Sequence, residues 1–177
     1  MPEIHAAAPP FTLPSVSGDE VSLSSAMGPN GLVVAFICNH CPYVVAAARR
    51  MVEDANTLND AGVGFAAICA NDATRYPADS FDRMKVFATD YGFSFPYLHD
   101  ESQAIAQAYK AAVTPEFFGI SKDGTVLYRG RLDGNTSSGP ADATPRDLVE
   151  AMNHIVATGT PPDVQHAARG CSIKWKG

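Results

Sequence analysis

Two stretches of the chain are apolar almost without interruption, LVVAFI at residues 32–37 and VGFAAICA at residues 63–70. Runs of this length, rich in branched residues, suit central strands covered on both faces. Between them Val44, Ala48, Met51, Ala55 and Leu58 recur at steps of four and three. That spacing predicts one helical face running from Pro42, and Gly62 suits its stop. Strand, helix and strand then form a right-handed crossover. Ahead of this unit FTLPSVSGDEVSL alternates polar and apolar residues around Ser17-Gly18-Asp19, predicting an edge hairpin.

Beyond it the pattern predicts a loop at Tyr76-Pro77, a helix from about Ala78 to Asp90, a strand in SFPYLHD and a short helix through Ile105 and Tyr109. Two strands follow in VTPEFFGISKDGTVLYRGRL, separated by Lys122-Asp123-Gly124, an Asp-Gly hairpin signal. The small polar stretch DGNTSSGPADA reads as a surface loop. Thr144 as N-cap, Pro145 in the first turn and Asp147 then start a last helix whose buried face is Leu148, Met152 and Ile155. These elements predict one α/β domain over residues 1–160. A tail over residues 161–177, opened by a double proline and carrying the only Trp, packs on or near it.

Composition narrows the function. With 177 residues, 46% of them apolar, the chain can bury a core without disulfide staples. Thirteen basic against nineteen acidic residues give a net charge of -6, and no Lys/Arg cluster interrupts it, which argues against nucleic acid as a partner. The start MPEIHAAAPPFTLP lacks the charged and apolar regions of a secretory signal. The longest apolar run, residues 32–38, falls far short of the roughly 18 residues of a membrane span. A soluble, cytoplasmic protein with no membrane partner is expected.

Four cysteines, Cys38, Cys41, Cys69 and Cys171, are too few for a secreted disulfide framework. Cys38 and Cys41 stand three apart in FICNHCPYV, where the first strand gives way to the helix. Positions i and i+3 in a first helical turn lie about 5–6 Å apart, close enough for a reversible disulfide. The amide hydrogens and dipole of a helix start favour a thiolate there. Cys38, expected to be the more exposed, takes the attacking role and Cys41 resolves the mixed disulfide. Pro42 removes an amide hydrogen that the first turn leaves unpaired.

His40 is expected to favour the thiolate and make the couple more oxidising, against the plainer reading of a solvated turn residue. A zinc site would need a second close pair, and His166 with Cys171 has unmatched spacing, so no metal is assigned. Cys69, inside an apolar strand, reads as a small buried hydrophobe. Cys171 reads as a structural or inert thiol, with Arg169, Lys174 and Lys176 nearby leaving an auxiliary redox role open.

Taken in order, PPFTLP, LVVAFICNHCP, VTPEFFGISKDGTVLYRG and the closing helix resemble the thioredoxin-fold superfamily over about residues 8–158, most of all its redoxin branch of TlpA-like thiol oxidoreductases and peroxiredoxins. With GCSIKW included, the chain looks like thioredoxin-like proteins termed peroxiredoxin-like. The resemblance implies a thioredoxin-like fold, a central mixed sheet flanked by helices, here with an N-terminal hairpin extension. It also implies that Pro115 is a cis-proline facing the CxxC, and that the backbone of Thr114 pairs with a bound substrate strand.

Two departures qualify it. The peroxiredoxin pattern PxxxTxxC is missing in both registers: Val34 and Cys38 precede Cys41, and Gly31 and Ala35 precede Cys38. Arg129 or Arg131 remains a candidate for the family's peroxide-site arginine. Thioredoxins proper carry a Trp before the first cysteine and a buried acid on the preceding strand, whereas this chain has Ile37 and no acid in residues 32–37, so proton transfer to Cys41 must use another group. The expected activity is a cofactor-free thiol-disulfide oxidoreductase acting on protein or low-molecular-weight disulfides and thiols, reduced by an unidentified electron donor. A peroxiredoxin-like thiol peroxidase with antioxidant activity is the alternative, and a non-catalytic metal-binding or redox-sensing module is the reading from another class.

Overall fold

The apolar run near residue 32 forms β3 (Gly31–Phe36), and its side chains part by the two-residue period of a pleated strand. Val33, Ala35 and Ile37 join one buried cluster, and Leu32, Val34 and Phe36 join a second on the opposite face. A sheet covered on both sides needs such a strand at its centre. In a computed structural model of the chain, which describes residues 4–135 and 145–177, the elements preceding β3 are β1 (Thr12–Pro14), β2 (Glu20–Ser22) and α1 (Leu23–Ala26). β1 and β2 pair antiparallel with Leu13 opposite Val21, so the hairpin read from the alternation is present. The single turn α1, closed by a reciprocal Ser22/Ser25 capping box, was not visible in the hydrophobic pattern.

After β3 come α2 (Pro42–Asp60), β4 (Val63–Cys69), a 3₁₀ turn at Pro77–Asp79, α3 (Phe81–Asp90), β5 (Tyr97–His99), α4 (Ala104–Tyr109), β6 (Val113–Thr114), β7 (Glu116–Ser121), β8 (Val126–Gly130), α5 (Asp147–Thr158) and β9 (Cys171–Ser172). β4 and β5 pair parallel, whereas β3, β7 and β8 pair antiparallel with β7 in the middle. Ile37 N–H donates to the Ile68 carbonyl (2.9 Å), joining the two parts. The result is a central mixed sheet with α2 and α5 packed on the face of the first cluster. Gly62, just past the Ala61 cap of α2, takes the left-handed φ of +80° that ends the helix.

Three expected boundaries are corrected. The helix placed from Ala78 starts at Phe81, because Ser80 accepts from the Arg83 amide as its N-cap while Pro77 opens the 3₁₀ turn before it. The strand expected across SFPYLHD narrows to Tyr97–His99. α5 is capped at Arg146 with Pro145 ahead of the helix, and Asp147 in its first turn is held by Arg131 Nε (2.6 Å); Thr144 and most of DGNTSSGPADA lie outside the described residues.

The tail has a definite course. Gln165 is bonded to the Arg129 amide and the Leu127 carbonyl along β8, and β9 then pairs antiparallel with β6, placing Thr114 opposite Cys171 and Val113 opposite Ser172. Ile173 is buried in the second cluster.

Candidate functional site

α2 begins at Pro42, so Cys41 is its N-cap and Cys38 lies in the loop before it. Cys38 was expected to be the more exposed of the two, but both side chains are fully buried in the cluster on the α2 side. Thr114 lies against both sulfurs. Its hydroxyl is 3.6 Å from Cys38 Sγ, and the protonated Cys41 donates to its carbonyl oxygen at 3.4 Å. The Thr114–Pro115 peptide bond is cis, and Pro115 borders a surface cleft shared with Tyr43, Ala47, Arg131 and Arg169.

The two thiols act on one another's ionisation. The neighbouring Cys38 pulls Cys41 down, against the opposing effect of its burial, with smaller help from Cys171 and from the amide of Val44. The same interaction pushes Cys38 up, and burial and the negative Asp79 add to it. Each thiol thus shifts the ionisation of the other, and the two sulfurs titrate as a pair.

Asp79 is the residue that sequence reasoning missed. It arrives from the 3₁₀ turn and is fully buried. Its carboxylate accepts from the Asn39 amide (2.8 Å) and Asn71 Nδ2 (2.9 Å), and it pairs with His40 Nδ1 (2.6 Å). Asn39 in turn donates to the Ala78 carbonyl (3.1 Å) and accepts from the Tyr97 hydroxyl (2.8 Å). His40 keeps a third of its side chain exposed and stacks on Tyr76, ring planes 3° apart. The CxxC loop is thus held by residues of three distant segments. No acid stands on β3, yet one stands beside the thiols from elsewhere; a polar residue just behind the Pro77 turn was the available sequence signal.

The remaining candidates divide. Cys171 is brought to the thiols by β9, partly exposed, and its interaction with Cys41 is one of the influences on both groups. Arg129 is turned to other partners: Glu116 (2.9 Å), the Lys110 carbonyl (2.8 Å) and the face of Phe118. Cys69 is fully buried, and burial pushes its thiol up to about 12. Among the described residues, the cluster with metal-ligand spacing is Cys38, His40 and Asp79, whose ligand atoms lie within 4.8 Å of one another; neither His166 nor Cys171 belongs to it. Three ligands fall short of the four that close a structural zinc site, and the Asp79 oxygens are already bonded to Asn39 and Asn71.

A thiol pair at a helix start, faced by a cis-proline at the edge of a mixed sheet, defines a redoxin of thioredoxin-like fold. The chain belongs to the AhpC/TSA family, whose model matches residues 4–129. It is similar to an uncharacterized conserved protein from Geobacillus kaustophilus (40% identity, 99% of this chain and 94% of that one, TM-score 0.92) and to a hypothetical protein from Sinorhizobium meliloti 1021 (33%, 99% and 96%, TM-score 0.91). The fold is shared with a secreted Mycobacterium tuberculosis disulfide oxidoreductase homologous to E. coli DsbE (22%, 81% and 94%, TM-score 0.61). No curated protein matches the chain. Among the described residues no helix is long and apolar enough to cross a membrane.

Proposed function

We propose that the protein is a thiol-disulfide oxidoreductase whose working couple is Cys38 and Cys41, acting on protein or low-molecular-weight disulfides and reduced by a separate electron donor. The observation that carries this reading is the packing of the two cysteines at the start of α2 against Thr114, whose hydroxyl lies 3.6 Å from Cys38 Sγ and whose carbonyl oxygen lies 3.4 Å from Cys41 Sγ. A thiolate at neutral pH with a second thiol in contact is what disulfide exchange requires: one sulfur attacks, the other displaces the mixed disulfide. Thr114 lies against both sulfurs, Pro115 borders the adjoining cleft, and His40 with Asp79 holds the loop between the cysteines. The test is insulin-disulfide reduction by the parent, Cys38→Ser and Cys41→Ser proteins. Loss of turnover in both variants supports the reading, and parental turnover in either rejects it.

One observation favours a thiol peroxidase as the second reading. The Thr114 hydroxyl, 3.6 Å from Cys38 Sγ, supplies from β6 a hydroxyl that the PxxxTxxC pattern would have supplied from β3. Against it, Arg129 is held by Glu116. Stopped-flow peroxide consumption separates the two readings, and a rate no faster than free cysteine's excludes the peroxidase.

A further inference from the structure

The backbone edge of Thr114, expected to receive a substrate strand, is filled by the chain's own tail. β9 pairs there with Cys171 directly opposite Thr114, the residue that also touches Cys38 through its hydroxyl and Cys41 through its carbonyl. The approach is so close that a Cβ on Gly170 would collide with the Thr114 carbonyl oxygen, so the residue before Cys171 has room for no side chain. The strand is anchored beyond the thiol as well. Ile173 N–H donates to the Ala112 carbonyl (3.1 Å), Lys174 N–H donates to Asn71 Oδ1 (3.0 Å), and Gln103 Nε2 donates to the Lys174 carbonyl (2.9 Å). Asn71 also donates to Asp79, so tail and CxxC loop share one buried support. Of the three clustered sulfurs, Cys38 and Cys41 are sealed from solvent and only Cys171 reaches it.

We propose that Cys171 is a third redox-active thiol, presented to Cys41 by strand β9, and that it carries the disulfide between the buried Cys38–Cys41 pair and external thiols. The proposal rests on the oxidoreductase reading above and deepens it. Starting from the Cys38–Cys41 disulfide, the Cys171 thiolate attacks Cys41 Sγ. The Cys41–Cys171 bond forms, the Cys38–Cys41 bond breaks, and Cys38 leaves as a thiolate that takes up the proton Cys171 gave up. One disulfide exists before and after, so no oxidant or reductant is consumed in this step. An external thiolate then attacks Cys171 Sγ and frees the Cys41 thiolate. A second external thiol displaces Cys171 from the mixed disulfide, leaving three reduced cysteines and one external disulfide; the reverse sequence reduces an external disulfide. Burial, then the bond with Cys41, raises Cys171 to about 11 while the pair is reduced. The contribution of Cys41 disappears once that sulfur is in a disulfide, which eases ionisation of Cys171 in the state where it must attack.

The test uses Cys38→Ser and Cys171→Ser in the full chain. Each protein is treated with glutathione disulfide, alkylated, and digested with trypsin without reductant. Cleavage after Arg169 and Lys174 frees the peptide of residues 170–174. In Cys38→Ser this peptide is expected linked to the one bearing Cys41 within a single chain; should that variant not fold, Cys38→Ala gives the same readout. In Cys171→Ser the Cys38–Cys41 disulfide is expected to close but to be reduced by dithiothreitol about tenfold more slowly than in the parent. If Cys38–Cys41 closes in the parent, yet residues 170–174 stay unlinked and Cys171→Ser is reduced at the parental rate, the relay is overturned and the oxidoreductase reading stands. A parent in which Cys38–Cys41 never closes overturns both.

Discussion

Charge at the site is settled by single residues. Cys38 lowers the neighbouring Cys41 thiol, so Cys38→Ala is expected to move the Cys41 titration upward, followed by thiolate ultraviolet absorbance against pH. Asp79 acts in the other direction, since its negative charge helps hold the proton on Cys38. Asp79→Asn is therefore expected to lower the pH at which the second thiolate appears in the same titration, and an unchanged second step would remove Asp79 from the electrostatics of the pair. The proposed influence of His40 on the redox poise is open to direct measurement. Replacing His40 with Ala is expected to make the couple more reducing by about 30 mV, measured against glutathione buffers, because stabilising the reduced form is what makes a disulfide oxidising. The CxxC and its histidine were legible as letters in a row. Asp79 was not, because nothing local marks which of the chain's acids folds in beside the sulfurs.

Elements carry these residues into register, and two of them show how. β9 is two residues long and has no hydrophobic alternation by which to find it; it exists because Gly170 lets the chain lie against Thr114. Gly170→Ala is expected to release it, seen as faster hydrogen exchange at the Ile173 amide, which donates to the Ala112 carbonyl, and faster alkylation of Cys171 than in the parent. α2 was legible from its apolar spacing, yet it also buries Arg50, which bonds Asp133 (2.7 Å) and the Asn135 carbonyl (2.8 Å) at the end of the described segment after β8. Truncating one partner leaves the other charge buried without its counter-ion, so Arg50→Ala is expected to cost about 3–5 kcal/mol in chemical denaturation. The helical pattern places Arg50 one position from Met51 and two from Ala48, and periodicity alone does not distinguish a buried ion pair from a solvated arginine.

For the molecule as a whole, the contact between α2 and α5 links stability to pH. Burial raises Asp54 to about 6, opposed by the hydrogen bond and charge of Arg146 (2.6 Å). A carboxyl whose folded pKa is raised holds its proton more tightly folded than unfolded. Its contribution to stability therefore falls as pH rises from the ordinary aspartate range to about 6, and stays lost above. The Tm of Asp54→Asn is expected to change less across that window than the parent's, and parallel Tm profiles would discount Asp54. The sequence by itself determined the two-sided strands, the crossover helix, the hairpins and the CxxC at the strand-to-helix turn, because each is written in residues a few positions apart. Only the tertiary structure decided that both thiols are buried against Thr114, that Asp79 stands close to Cys38, and that the tail occupies the edge at Thr114. Those outcomes depend on burial and on contacts between segments far apart in the chain, which no local period encodes.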